Sequence, residues 1–421
     1  MGEDRQARRV VATMLHRFRS NLSFKREQIA VFALLFNTLS WYFIGRLMIP
    51  KIGYAFGDGS FENLSLQVAY PSSIIVAGIV GAMFLAKIRK KLFFYSWVLM
   101  GVFASLFLIV PLGSSLFAAL SVTCVLGASL GIGMPLCLNY FKESVSFNKR
   151  GTVGGIVLFS TMLSAPLVLI SMPTLDLLHS AVLCALWRVW SVPFLLLVPQ
   201  NEAATKPESK AEKPPSLLSV FRNKTFILYF AAWLMFALVD GLGSEVVARP
   251  AQDYLFLIRI IEPSFTGLSA LVAGFVSDWM GRKRVLIFGF ASLGIAYAVV
   301  GLFSHVWISW LFYFAIDGTA LGLLSVLFMV VLWGDLSETG SEKFYAIGET
   351  PFFLTQIISI ALAPYVALIP ESGSFSLAAF FLFLAVLPLL YAPETLPEKS
   401  MKDRDIRQYV EKAKKTKEKY K

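Results

Sequence analysis

The sequence predicts an all-α integral membrane protein, with twelve transmembrane helices in two pseudo-symmetric six-helix bundles. Three observations carry that prediction: composition, the spacing of apolar stretches and the placement of positive charge. Of 421 residues, 57% are hydrophobic and 15% charged, and the mean hydropathy is +0.68. Soluble domains are seldom more than half apolar. A helix crosses ~30 Å of hydrocarbon with roughly 20 apolar residues. About twelve such stretches recur, centred near residues 39, 76, 101, 127, 162, 188, 236, 265, 294, 320, 356 and 383. Backbone facing lipid must satisfy its own polar groups, so the spanning elements are helices.

In chain order, residues 1–27 form a basic leader, RQARRVVATMLHRFRSNLSFKREQ at its core. It lacks the apolar run and cleavage site of a signal peptide and is expected on the membrane surface. Residues 28–198 form the first six-helix bundle. Residues 199–223 are rich in Lys, Glu, Ala and Pro, too polar to bury a core, and read as a linker. Residues 224–392 form the second bundle, and 393–421 a basic tail. Two matching bundles are expected because landmarks repeat at a nearly constant offset. LGASLG at 126–131 matches DGTALG at 317–322. Arg89-Lys90 precedes Arg282-Lys283 by 193 residues, and Pro199 precedes Pro393 by 194. Arg150-Gly151 and Glu342-Lys343 stand 192 apart. Recurrence in register with the hydrophobic stretches indicates duplication of a six-helix unit.

The net charge of +11 is concentrated on one side. With the N-terminus inside, the inner segments hold 33 of the 38 Lys and Arg residues, and the outer loops only Lys51 and Arg249. This asymmetry places both termini in the cytoplasm and excludes a nucleic-acid binder. The basic tails would meet anionic lipid, at about 1 kcal/mol per nearby charge. Cys124, Cys137 and Cys184 fall inside helices and read as small core residues, with no disulfide framework and no metal site. No phosphate-binding G-x-x-x-x-G-K-[ST] loop occurs. The histidines, His16, His179 and His305, are scattered, which argues against a membrane-embedded transferase. Neither a cofactor nor enzymatic chemistry is expected. Asn63-Leu-Ser65 is a glycosylation-type triplet on the outer side.

Between the eighth and ninth stretches runs Gly274-Phe-Val-Ser-Asp278-Trp-Met-Gly281-Arg282-Lys283. It resembles the major facilitator superfamily signature G-x-x-x-D-R-x-G-R-[RK], with Trp279 at the usual Arg position. The first-half copy, Gly81-Ala-Met-Phe-Leu85-Ala-Lys-Ile-Arg89-Lys90, keeps the glycine and the basic pair but has Leu85 for the aspartate. Tyr140-Phe-Lys-Glu143, followed by Arg150-Gly151, is similar to the sugar-porter branch's Y-x-x-E-x-x-P-x-x-x-R-G, with Ser146 for the proline. Pro393-Glu394-Thr395 resembles that branch's P-E-T ending. The glutamine pair in helix 7 and the P-E-S-P-R after helix 6 are absent. The resemblance implies a monomeric secondary transporter of a small solute. It also implies that Asp278 accepts hydrogen bonds from the start of helix 5, around Gly151–Gly155, as a latch that breaks when the cytoplasmic side opens; a static salt bridge is the alternative.

Charges at depth cost several kcal/mol unless paired or hydrated. Asp317 lies near the middle of helix 10, before the Gly318-x-x-x-Gly322 face, and suits proton or substrate binding, or a locked pair with an Arg. Asp240 in helix 7 is a second candidate, with Arg46 of helix 1 as its partner in an outer vestibule. Arg259 and Glu262, three apart on helix 8, read as an ion pair. Glu349 reads as a helix-start carboxylate stabilised by the dipole, with a carrier as the alternative. Arg188, flanked by Trp187 and Trp190, reads as cation–π packed by them, or as an anion ligand. Asn37 and Gln356 would hydrogen-bond a substrate or a neighbouring helix. No first-half helix carries a carboxylate at depth, so proton coupling would belong to the second half. A transporter-like sensor without flux is the alternative function.

Overall fold

The computed structural model describes residues 25–57, 59–86, 88–109, 115–199, 216–247, 254, 257–366 and 368–396. The leader, the linker and the tail lie almost entirely outside these residues, as do Arg249 and the side chain of Arg259. All regular structure among the described residues is helical.

Six passes precede the linker: α1 (Arg26–Phe56), α2 (Phe61–Leu85), α3 (Lys90–Ile109), α4 (Leu116–Ser144), α5 (Phe147–Thr174) and α6 (Leu177–Leu197). Six follow it: α7 (Lys224–Val247), α8 (Glu262–Met280), α9 (Arg282–Leu302), α10 (Trp307–Asp335), α11 (Ser341–Val366) and α12 (Ser372–Tyr391). Eleven are long and apolar enough to cross a membrane. α8 falls short because Glu262 and Asp278 dilute it; a π-turn over Leu257–Ile261 extends it to a pass of comparable length. Leu163, Leu167, Val272, Phe288 and Phe380 are exposed on the outside of the bundle. An apolar surface of this extent belongs in lipid. This is a multi-pass membrane protein.

Small residues set the closest helix seams. A Cβ at Gly127 or Gly131 of α4 would strike the α2 backbone at Tyr70 or Ile74, and one at Gly318 or Gly322 of α10 would strike α8 at Glu262 or Thr266. These two seams are the same contact in the two duplicated units. A third seam joins the halves, where Gly151 and Gly155 of α5 meet Gly274 and Ala270 of α8. Backbones this near gain dispersion and interhelical hydrogen bonding where lipid offers no hydrophobic drive.

Two passes are interrupted. α4 breaks between Gly131 and Met134, where Gly133 leaves room for the Trp97 ring and Trp97 Nε1 donates to Ser129 O at 2.7 Å. α11 breaks after Gly348, which packs on Trp333, and resumes at Thr350 before Pro351.

Two expectations are corrected. Cys137 and Cys184 are core residues, but Cys124 is exposed, because it lies on the outward side of α4. Asn63 sits in the first turn of α2, 4% exposed and pressed against Gly53, so this triplet is closed to modification in the fold.

Candidate functional site

At the end of the molecule bearing the basic loops, one carboxylate ties the halves together. Asp278, in the last turn of α8, is 5% exposed. Its Oδ1 accepts from Gly151 N at 3.0 Å, and its Oδ2 from Thr152 N at 2.7 Å and Thr152 Oγ1 at 2.8 Å. The free amides of a helix start are natural donors to an anion. Gly274 permits the approach, since a side chain there would strike Gly151. Arg282 Nη1 lies 2.7 Å from Asp278 Oδ1, one turn along the chain.

Gly281 makes that turn. Its φ of +103° is a conformation side chains avoid, and a Cβ there would also run into the Glu394 carboxylate. Glu394 in turn accepts from Arg282 N at 2.8 Å and Lys283 N at 3.1 Å, closing the start of α9. Lys283 Nζ donates to Leu390 O and Ala392 O.

Asp335, at the end of α10, completes the cluster. It pairs with Arg150 Nη1 at 2.7 Å and Arg282 Nε at 3.3 Å, and its side chain is fully buried. Arg150 also donates to Lys142 O and Val145 O, and Arg282 to Phe147 O. Lys142 reaches across to Ser337 O at 2.6 Å, and Ser341 Oγ donates to Asn139 Oδ1. Residues from α4, α5, α8, α9 and α10 therefore form one connected network that shuts this face. Glu143 lies at its exposed edge, accepting from Asn139 Nδ2 at 3.1 Å and pairing with Lys90 at 2.6 Å.

Sequence reasoning missed Asp335 and the capping role of Glu394. The repeat register holds the signal for the first: Asp335 follows Glu143 by 192 residues, close to the 193 between Arg89-Lys90 and Arg282-Lys283. Glu394 was singled out as part of a motif, but its partners lie about 110 residues away in sequence.

The candidates at depth separate into two groups. Arg188 and Asn37 belong to a closed contact among α1, α3 and α6. Arg188 is completely buried; its Nη1 donates to Asn37 Oδ1 at 2.8 Å and Thr38 Oγ1 at 3.2 Å. Asn37 Nδ2 donates to Trp187 O at 2.5 Å. The aromatic faces over the guanidinium are Trp97 at 4.4 Å and Trp41 at 5.0 Å. The flanking tryptophans are not its partners: Trp187 Nε1 donates to Ser40 Oγ, and Trp190 is exposed. The helix turns Arg188 inward between α1 and α3, where sequence neighbours cannot follow. Arg188 Nη1 and Asn37 thus bond to one another and are closed to solvent, while Arg188 Nε and Nη2 are buried with no hydrogen-bond partner.

The second group converges in the second half. Asp240 of α7, Glu262 of α8 and Asp317 of α10 lie within electrostatic reach of one another, and Tyr297 and Tyr313 border them. Asp317 is 7% exposed, while Asp240 and Glu262 are half-buried. Among the described residues none of the three acids has an ion pair within 4 Å. Arg46 is exposed and acts on Asp240 through space rather than by contact. The Arg259–Glu262 pair falls outside the description on the arginine side. Gln356 Nε2 donates to Tyr42 Oη at 2.9 Å, linking α11 to α1, and Tyr42 packs edge-on to Phe352 and Phe353. Beside Tyr297 lies an apolar cavity of ≈ 350 Å³, with Met235, Leu242, Val366, Phe375 and Phe381 in its wall. No group of three or more His, Cys, Asp or Glu side chains among the described residues is disposed to hold a metal ion.

No family model matches the sequence, and no curated protein matches it. Solved structures do match over 87% of the chain. One is a major facilitator superfamily proton:xylose symporter bound to 6-bromo-6-deoxy-D-glucose, at 16% identity, TM-score 0.64 and 96% of that chain. A second is the human organic anion transporter MFSD10, at 13% identity, TM-score 0.62 and 100% of that chain. A third is a bacterial homologue of the iron transporter ferroportin in its outward-facing state, at 14% identity, TM-score 0.68 and 98% of that chain.

Proposed function

On a chain that has the major facilitator superfamily fold, we propose a secondary transporter that moves a small solute across the cell membrane by alternating access. The domains are the two six-helix units, 28–198 and 224–392, rocking about the site between them. The basic face is the cytoplasmic one by the positive-inside rule, with both termini there and anionic lipid beside them. The protein works as a monomer.

The observation that carries this reading is the pairing of a shut face with a group of acids at depth. Asp278, Arg282, Arg150 and Asp335 lock the cytoplasmic ends together. Asp240, Glu262 and Asp317 gather deeper in the second half, with no ion-pair contact among the described residues. Acids held at depth that way suit taking up and releasing a proton, or holding a solute's donor groups. Proton coupling through Asp317, assisted by Asp240 and Glu262, follows. Arg46 and Gln356 stand where the solute would pass between α1, α7 and α11. One protein of the same fold is a proton:xylose symporter, which supports the coupling, while the matched structures as a group are of transporters for different cargoes.

The test is flux in reconstituted vesicles under an imposed pH gradient, screened over sugars, organic acids and lipophilic cations. One class should move faster with the gradient than without it; no gradient-driven flux of any class would favour the second reading, a transporter-like sensor. The feature behind that second reading is Leu85, which leaves the first-half loop without a latch carboxylate. The latch itself is tested by Asp278→Ala. This variant should open the cytoplasmic side and speed alkylation of a cysteine at position 156 at least tenfold; an unchanged rate contradicts the latch.

A further inference from the structure

Glu349 plays no part in the network or the acid group described above. It stands at the interruption of α11, between Ser341–Gly348 and Thr350–Val366. The carboxyl does not cap the helix that follows: both oxygens are buried and have no hydrogen-bond partner, and the residue is 4% exposed. Burial between the halves has overridden the helix-start role expected from sequence. The side chain adjoins a cavity of ≈ 20 Å³ walled by Ile74 and Gly78 of α2, Gly131, Met134 and Pro135 of α4, and Phe353 of α11. That volume admits one water molecule.

The surroundings hold nothing to balance a charge. The walls supplied by α2 and α4 are apolar or glycine. On its own element the titratable neighbour is Tyr345, whose hydroxyl donates to Val330 O at 2.8 Å. Arg150 and Arg282 are committed to Asp335 and Asp278, and Lys142 to Ser337 and Ser341. Taking an ionised carboxylate out of water with neither donor nor counter-ion is among the costliest burials a fold can make. The neutral acid is tolerated there. The contact is also conditional, because Glu349 meets residues of the other half only while α11 is pressed against α2 and α4.

We propose that Glu349 is a proton-binding site of the cytoplasmic gate, carrying its proton while the halves are shut there and releasing it when they part. The O–H bond breaks as water enters, the proton passes to that water, and the carboxylate stays behind solvated. Closure reverses the step and takes one proton from the cytoplasm. Opening is thereby linked to one proton, so acid holds this face shut whatever solute occupies the site. By linkage the open-to-shut ratio rises up to tenfold per pH unit while the open form is ionised and the shut form neutral.

The experiment uses the full chain in lipid nanodiscs, with Cys124→Ala and spin labels at Asn148→Cys and Thr339→Cys, two exposed positions on opposite halves of this face. Between pH 5.5 and 7.5 the ratio of long to short label distances should rise at least tenfold. Glu349→Gln should keep the short distance and lose the pH dependence, whereas Asp317→Asn should keep it. A second readout needs no variant at this site. Dicyclohexylcarbodiimide, which attacks protonated buried carboxyls, should modify the Glu349 peptide less as the label distances lengthen. A Glu349→Gln protein with the unsubstituted pH response would overturn the proposal, as would a pH-independent distance ratio or modification at Glu349 that ignores pH. None of these readouts requires flux, so they stand or fall apart from the proposed transport.

Discussion

Lys90–Glu143 and Arg282–Asp335 are ion pairs at corresponding loops of the two halves: Glu143 and Asp335 stand 192 residues apart, and the basic pairs Arg89-Lys90 and Arg282-Lys283 stand 193 apart. Their environments differ sharply. The side chains of Lys90 and Glu143 are 33% and 42% exposed; those of Arg282 and Asp335 are fully buried. The first-half pair is solvated, with Asn139 Nδ2 also donating to Glu143 at 3.1 Å, while its second-half counterpart is built into a buried network with Asp278 and Arg150. At depth the halves differ again. The first buries a cation, Arg188, under Trp41 and Trp97 and bonds its Nη1 to Asn37 and Thr38. The second holds three acids with no ion-pair contact among the described residues. The helix seams match between the halves while the charge does not, and on the proposed function one half would serve as scaffold and the other would carry the titrating groups.

The largest test of that contrast removes the equivalent acids in turn. Asp335→Ala removes the carboxylate paired with Arg150 and one of the two paired with Arg282, and should cost about 3–5 kcal/mol, read as a fall in unfolding midpoint in detergent. Glu143→Ala should cost about 0–1 kcal/mol, as for other exposed pairs. Equal losses would break the comparison.

A smaller effect is expected from Arg188→Lys. A lysine keeps the charge but loses the planar stack and the geometry toward Asn37, at about 2 kcal/mol. Solute KM and pH dependence should not change. A shifted KM with intact stability would move Arg188 from scaffold to site.

The smallest effect concerns helix starts. Asp176 caps α6, its Oδ1 accepting from His179 N at 2.8 Å, whereas α12 begins after Pro370 with no side-chain cap. Those hydrogen bonds from His179, first from its backbone and then from its ring, hold the Asp176 carboxyl below its ordinary value of 3.8. A depressed value in the fold means the cap is in full force above that ordinary range and is lost as pH falls through the lowered value. Amide exchange at His179, corrected for intrinsic rate, should therefore stay protected at pH 5 and lose protection only below about pH 4. No such transition is expected at the start of α12.

Fold class was legible because hydropathy and charge asymmetry act over whole segments, and twelve lengths of about 20 residues leave little choice of architecture. The loop around Asp278 was legible too, since its glycines and charges are local in sequence. Burial direction was not. Nothing in the spacing of Trp187-Arg188-Val-Trp190 tells that the guanidinium turns away from its neighbours toward Trp41 and Trp97. Glu349 was misjudged for the same reason, whereas Asn37 bonds to a neighbouring helix, one of its two expected roles: helix position gives depth, but the packing of distant passes decides which face meets which partner. Asp335 sat in the repeat register unread, because its partners Arg150 and Arg282 are 185 and 53 residues distant.

The division between a scaffolding half and a titrating half is tested most directly by solute movement in Asp317→Asn vesicles, measured with and without a pH gradient. The account predicts that gradient-driven flux falls more than tenfold while exchange of labelled for unlabelled solute continues, since the site still binds and still alternates. Gradient-driven flux at the unsubstituted level in that variant would contradict it and take the coupling out of the second half's acids.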